Sequence, residues 1–587
     1  MKKTALYTVF RAVWLTLRAA PWQVSSLLAV SIATALLNTL SAVANNRLFD
    51  AAEAQIGIGH WQAVLPALVT AGLVVVLTQL FVLLINTCAD NAMRAVQGRL
   101  KRHVQEAAAR LEPAAFEDPG TLNALEKAER GRASCAAFSM AIFNMTAAKL
   151  PYFVSMGVYL YRLRPLLALS IPMLALPSFA IYLMQAKMFG SLEDTVSPAR
   201  RRSAYYDRCL SDRAFFKETR LLGAYRYFFD LFTGSIRDYC AASAKVEKRA
   251  NLRMILTRVI TLLGFAGMLW LLFDSLMGGY ITVGAFAAVF ASVTSLMYSM
   301  MNFFDQDFKA AMRAWGSVRS FVEFSDRPAR PFSDAAPDRR AACELRDVHF
   351  TYPGASQETL RGITLSIRPG ETLAIVGENG AGKSTLARLL LGEYAPTQGA
   401  VLAGGVSLSD AAPEARYRDA SAVFQHFGRY RMTLSENVTL SDAREDAEAV
   451  ARALDMADLA MDRSLPDGTD TLLSREFGGV DLSGGQWQRV AIARGLYRPH
   501  AFIILDEPTA AIDPMEESRL YRQFAEITAG QTAVIVTHRL GSARIADRIV
   551  VKKDGCVDAV GTHDELVAQG GEYARLWQAQ AGWYRTA

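Results

Sequence analysis

The run Gly377-Glu378-Asn379-Gly380-Ala381-Gly382-Lys383-Ser384-Thr385 decides how the second half of the chain is read. An apolar tetrad, Leu373-Ala374-Ile375-Val376, precedes it, and an amphipathic stretch from Leu386 to Leu391 follows. Strand, glycine loop, helix is the context in which G-x-x-x-x-G-K-[ST] cradles phosphate. Gly377, Gly380 and Gly382 free the backbone, so that N–H groups of the loop, Asn379 included, converge on phosphate oxygens at the positive end of a helix. Lys383 reaches the β- and γ-phosphates, the Ser384 hydroxyl is placed to hold Mg²⁺, and Thr385 completes the nucleotide contact.

Around that stretch the texture is soluble α/β, with short apolar strands alternating with amphipathic helices as in a parallel sheet carrying phosphate-binding loops. The other half differs. The chain has 587 residues, too many for one core, and 51% of them are hydrophobic. Most of that apolar material lies before about residue 305, in runs of the roughly twenty residues that span a bilayer. A net charge of +6 is mild; it reads as a cytoplasmic-side membrane bias and not as a nucleic-acid footprint, so no nucleic-acid partner is expected. Cys88, Cys135, Cys209, Cys240, Cys343 and Cys556 are scattered without a C-x-x-C pair. Free thiols are expected, and neither a disulfide framework nor a zinc site.

Taken from the start, Lys2, Lys3, Arg11 and Arg18 interleave with Leu6, Val9, Phe10, Val13, Trp14 and Leu17. That is an amphipathic helix suited to the inner membrane surface. No small-residue cleavage site follows it, so no cleavable signal peptide is expected. Spans are predicted at about 23–43, 61–85, 147–163, 166–183, 254–276 and 283–304. Arg94, Arg99, Lys101, Arg102 and Arg110 after the second span place that side in the cytoplasm. Between spans, the pattern stays helical but turns polar, projecting helices some 40 Å beyond the membrane. Phe116-Glu117-Asp118-Pro119-Gly120 breaks the first projection, ahead of a short crossing helix through Leu122, Leu125 and Ala128. Phe215 to Ala224 makes a second tip. Arg162 and Arg164 fall on the outer side, against the charge bias. Lys149 and Arg258 lie in or beside apolar runs; each either meets an anionic part of a cargo or snorkels to headgroups. The stretch 326–340, rich in Pro, Ala, Asp and Arg, reads as a linker.

From about Cys343 onward the chain resembles the ATPase domain of ATP-binding-cassette (ABC) transporters, and with the six predicted spans it resembles an exporter-type half-transporter. Leu482-Ser483-Gly484-Gly485-Gln486, followed by Gln488-Arg489-Val490-Ala491, matches the family signature. The resemblance implies that Ser483, Gly484, Gly485 and Gln486 grip nucleotide bound by an opposite subunit, so that ATP is sandwiched in a dimer. Phe502-Ile503-Ile504-Leu505-Asp506-Glu507 reads as a buried strand ending in two acids. By resemblance, Asp506 assists the Mg²⁺ shell and Glu507 polarises the attacking water. Gln425 resembles the glutamine that senses Mg²⁺ and that water, His538 the switch histidine, and Tyr352 the aromatic that stacks on adenine. Ala510-Ala511-Ile512-Asp513 resembles the D-loop. His426 stands where relatives usually carry an acid, and Arg475-Glu476-Phe477-Gly478-Gly479 also departs from the commonest wording.

The implied architecture is a helical membrane domain over 1–325, with coupling helices near 116–128 and 215–224, and an α/β P-loop ATPase domain over 341–587. The implied activity is ATP hydrolysis with Mg²⁺, coupled to transport across the plasma membrane of an amphipathic peptide, natural product, drug or lipid. A metal-chelate importer of the same fold and an ATP-gated or regulatory membrane protein are the alternatives. Both halves of a catalytic site lie in one chain, which favours a homodimer over a heterodimer.

Overall fold

The computed structural model describes residues 4–56, 60–169, 172, 199–302, 309–327, 332–440, 446–459, 464–508 and 530–585. Contacts divide the chain into two units, Met1–Arg110 with Asn123–Pro328, and Leu111–Leu122 with Ala329–Ala587.

The first unit is helical. Thr4 caps the amphipathic helix Ala5–Ala19, whose Leu6 and Phe10 are 81% and 71% exposed, as a membrane-surface helix requires. Its other side is fixed by charge. Asp326 accepts from Tyr7 Oη at 2.9 Å and Arg11 Nε at 2.8 Å, and Trp14 lies against the guanidinium groups of Arg11 and Arg18. The first predicted span falls inside Pro21–Ala54, and the second, apart from its first four residues, inside Leu65–Ala109; both helices are long and apolar enough to cross a bilayer. The latter runs on for 45 residues, so the polar continuation is helical as expected. The stretch predicted as the third span holds the end of a π-turn, Asn144–Lys149, and the helix Leu150–Leu163. The stretch predicted as the fifth lies at the end of the 53-residue helix Tyr225–Met277, and that predicted as the sixth is helical over Val283–Asn302. Most of the fourth, residues 303–304 of the sixth and the side chain of Arg258 lie outside the described residues.

Two readings are corrected here. The segment through Leu122, Leu125 and Ala128 is not a short crossing helix. It is the start of the 25-residue helix Pro119–Phe143. Asp118 accepts from Thr121 N at 2.8 Å and Gly120 N at 3.1 Å, capping a helix that opens on Pro119, so the apparent breaker is a start signal. The linker is also shorter than read. Arg339 is 2% exposed and donates to Leu390 O at 2.8 Å and Leu391 O at 2.6 Å, which ties residues just before the first strand into the second unit. The second tip is a short helix, Phe216–Leu221, as expected.

Arg164, the outer-side cation, has a local explanation. Its Nη1 donates to Asp274 Oδ2 at 2.9 Å and Ser275 Oγ at 2.7 Å, and its guanidinium lies 4.4 Å from the Tyr280 ring. The charge is neutralised inside a turn, which outweighs a statistical bias on loop composition.

The second unit has two sheets. An antiparallel one, in the order β2-β1-β4-β5, comprises β1 (Cys343–Phe350), β2 (Leu360–Ile367), β4 (Gln398–Ala403) and β5 (Val406–Ser407). A six-stranded one, in the order β10-β9-β3-β8-β7-β6, contains β3 (Thr372–Gly377), β6 (Ala420–Val423), β7 (Phe502–Asp506), β8 (Thr532–Val536), β9 (Arg548–Lys553) and β10 (Cys556–Gly561). The antiparallel sheet goes beyond the parallel one expected. Both pack on the helix Lys383–Leu391, whose Leu386, Leu389 and Leu390 are fully buried in their common core. β9, β3, β8, β7 and β6 run parallel. Their C-terminal ends therefore share one edge of the sheet, where α/β folds bind ligands.

Candidate active site

Parallel register brings together what the sequence separates. The loop after β3 carries Lys383, that after β6 Gln425, that after β7 Glu507 and that after β8 His538. Together with Tyr352, Thr359, Asn379, Gly380, Gly382, Ser384 and Thr385 they line a cavity of about 540 Å³.

Glycine is needed at three points of the loop. Gly377, Gly380 and Gly382 have φ of 149°, 84° and 85°, values that L side chains rarely adopt. At Gly382 a Cβ would also meet Leu360 Cδ2 at 2.8 Å, and at Gly377 the Lys552 carbonyl oxygen at 2.2 Å. Lys383 folds back over the loop, its Nζ donating to Gly377 O at 2.9 Å and Glu378 O at 3.0 Å. Burial pulls its ammonium below the ordinary lysine range, and Glu507 and Asp506 pull it back up. Those carbonyls hold the ammonium at the mouth of the cradle, where phosphate oxygens are better partners for it.

Asp506 is 5% exposed and accepts from Ser384 Oγ at 3.1 Å. Burial pushes its carboxyl above the ordinary range, against the pull of the Ser384 hydroxyl. A buried acid held up by desolvation favours a nearby cation. Hydroxyl and carboxylate oxygens suit Mg²⁺, which keeps waters and phosphate oxygens for its remaining positions. No cluster of three His, Cys, Asp or Glu able to hold a metal occurs among the described residues.

Glu507 sits one residue beyond β7 with φ 47°, a left-handed conformation that is costly for a residue with a Cβ. Its N–H donates to Val536 O at 3.0 Å, which pins the turn to β8. The side chain is held from two sides. Gln425 Nε2 donates to Oε2 at 2.8 Å, and His538 Nδ1 lies 3.2 Å from Oε1. A carboxylate aimed into the cavity and fixed by two partners can orient a water and take its proton.

Tyr352 Oη lies 2.9 Å from Thr385 Oγ1, and its ring meets Phe350 and Tyr394 edge-on. Replacing it with alanine is expected to raise the KM for ATP roughly three- to tenfold with little change in kcat, because a ring contact contributes about 0.5–1.5 kcal/mol. A steady-state ATP titration reads this directly.

Sequence reading missed Thr359 and the groups behind Tyr352. Glu117 Oε1 accepts from Tyr394 Oη at 2.8 Å and Arg388 Nη1 at 3.3 Å. Nothing local in the sequence pairs residues so far apart. The signature residues lie elsewhere. Ser483 caps the helix Gly484–Tyr497 in a capping box with Gln486, and Ser483, Gly484, Gly485 and Gln486 do not line the cavity of their own chain. The D-loop stretch lies outside the described residues.

A family model described as ABC transporter matches residues 360–510. The chain is 28% identical over 392 residues to the subtilin transport ATP-binding protein SpaT of Bacillus subtilis, covering 65% of this chain and 63% of that protein. It is 40% identical over 260 residues to the mycobactin import ATP-binding/permease protein IrtB of Mycolicibacterium thermoresistibile, 43% of this chain and 44% of that one. It is 31% identical over 368 residues to the ATP-dependent lipid A-core flippase of Burkholderia orbicola, 62% of this chain and 61% of that one. These matches thus span less than two thirds of each relative's length. A solved bacterial Atm1-family ABC exporter with ATP bound superposes with a TM-score of 0.79 at 22% identity, over 95% of this chain and 99% of that one, which shows a shared fold.

Proposed function

Because the chain belongs to the ABC transporter family, we propose that it is one subunit of an ATP-driven exporter in the plasma membrane, its ATPase unit in the cytoplasm. The observation that carries this reading is Glu507, fixed between Gln425 and His538 at the P-loop cavity. That geometry supports a hydrolysing enzyme over a gated channel or regulator, for which altered catalytic groups are the usual mark. Glu507 takes the proton of the attacking water, His538 and Gln425 hold it in place, and Lys383 binds the phosphates. Ser384, with Asp506 and Gln425 on the same cavity edge, would hold a Mg²⁺ ion, which would supply charge neutralisation for the phosphate oxygens. A second subunit brings its Ser483 to Gln486 helix start against the same nucleotide. Closure and release of that sandwich would pass to the membrane helices through the segments near 116–128 and 215–224, the second of which exposes Leu221 and Leu222.

Export of an amphipathic peptide or lipid is supported by the transport of subtilin and the flipping of lipid A-core in the relatives' names. The relative named for mycobactin import matches over only 260 residues, about the length of an ATPase unit, and such a unit does not set direction. In proteoliposomes, the full chain should move a fluorescein-labelled amphipathic peptide or a nitrobenzoxadiazole-labelled phospholipid only when ATP is hydrolysed. A reconstituted chain that hydrolyses no ATP, either alone or beside a second half-transporter subunit, would overturn the reading.

A further inference from the structure

His538 stands in the loop after β8, and core packing does not hold it, because 46% of its side chain is exposed. Its 3.2 Å approach to Glu507 therefore depends on where the backbone carries the ring. One end of the loop is tied down, since Thr537 N donates to Ile375 O of β3 at 3.2 Å. The other end opens the short helix Leu540–Ala543, and the first N–H groups of any helix lack partners within it. A serine, threonine, asparagine or aspartate just before the helix would supply an acceptor. Arg539 stands there instead, and its side chain makes no cap.

The acceptor comes from 40 positions further on. Gln580 Oε1 accepts from Leu540 N at 2.9 Å, and Gln580 Nε2 donates to His538 O at 2.5 Å. One side-chain amide thus spans Arg539 and grips the backbone on both sides of it, as donor and as acceptor. Gln580 belongs to the helix Glu572–Arg585. Tyr573, Leu576, Trp577 and Gln580 follow at steps of three, four and seven, on one face of that helix. The first three pack with Leu540, Ala543, Ile549, Val551 and Leu566, so the amide is carried on a docked face. The same helix reaches the glycine loop, where Arg575 pairs with Glu378. Both of those groups are well exposed, and that pair contributes little.

We propose that Gln580 is a positioning residue for ATP hydrolysis: by holding the backbone on either side of Arg539, it sets His538 against Glu507. The proposal deepens the hydrolytic reading of His538 and rests on it. Gln580 does not line the P-loop cavity, so it acts through His538 and not on the nucleotide.

The test uses the full chain in lipid nanodiscs and pairs steady-state ATP titration with hydrogen exchange read by mass spectrometry. Q580L removes both hydrogen bonds at nearly constant volume. Exchange at the Leu540 amide should quicken roughly tenfold, as for one lost hydrogen bond, while residues 572–579 keep their native protection. The kcat should fall roughly tenfold and the KM for ATP stay within about twofold, because an orienting contact is lost and no nucleotide contact is. Q580E separates the two bonds. Its carboxylate still accepts from Leu540 N but cannot donate to His538 O, so Leu540 should stay protected while kcat falls. Unchanged Leu540 exchange in Q580L, a native kcat in either variant, or a raised KM with native kcat would overturn the assignment. Lost protection over 572–579 in both variants would show a merely structural contact and overturn it too; in Q580L alone, the isosteric Q580E decides. Exchange needs no turnover, so a chain without ATP hydrolysis sinks the exporter reading, while Leu540 still reports whether the clamp exists.

Discussion

Steady ATP turnover by the full chain falls roughly a hundredfold or more on Glu507→Gln, in line with the loss of a positioned general base, while ATP still binds. The variant is nearly isosteric. Its amide oxygen can still accept from Gln425 Nε2, which reaches Oε2 in the native chain at 2.8 Å. Lys383, Ser384 and the glycine loop are untouched, so nucleotide affinity should be unchanged or higher. What disappears is a group able to accept the water's proton. With binding intact and hydrolysis blocked, the sandwiched dimer should accumulate, visible as an ATP-dependent shift in size-exclusion chromatography. Phosphate release at the native rate from this variant would remove Glu507 from the role of base and leave His538 as the remaining candidate in the cavity.

The site was legible where a short stretch holds both the chemistry and its structural context. Leu373 to Val376 had to be a buried strand and Leu386 to Leu391 a helix, which fixes the loop between them from sequence alone. Phe502 to Leu505 likewise had nowhere to be but inside a sheet, which left Asp506 and Glu507 at its end. Illegible features depend on distant partners or on small changes of helical phase. Glu117 meets Tyr394 across 277 positions, and no periodicity reports such a pair. Arg339 looked like linker because a charged residue among Pro, Ala and Asp resembles solvent-exposed chain. Its guanidinium is instead used to satisfy the last carbonyls of the helix Lys383–Leu391, the orphan acceptors of a helix end. The π-turn before Leu150 changes which residues share a face, yet it leaves the apolar pattern almost unaltered. Asp118-Pro119 carries start and stop signals at once, and in the fold Asp118 caps a helix start.

Two variants that are each inactive should regain activity when mixed, if the catalytic sites are shared between subunits. Gly484→Asp supplies the second variant. A Cβ at Gly484 meets nothing within 4 Å, and an acid in the first turn of the helix Gly484–Tyr497 favours that helix, so folding should be preserved. Towards a γ-phosphate offered by another subunit, the same carboxylate is repulsive. Turnover should drop roughly a hundredfold, as for removal of a comparable anion-stabilising group, with single-chain ATP affinity unaltered because Gly484 does not line the P-loop cavity. Co-expressing Gly484→Asp with Glu507→Gln yields mixed pairs as about half of all dimers. In each mixed pair one site joins both defects, and the other joins an intact Glu507 to an intact helix start. About one quarter of the native rate should return, from half the pairs each with one of two sites working. Sites complete within a single chain would return nothing, since every chain carries a defect. A native chain that hydrolyses no ATP alone, but does so beside a different subunit, would move the second half of the site to that partner and turn the homodimer into a heterodimer.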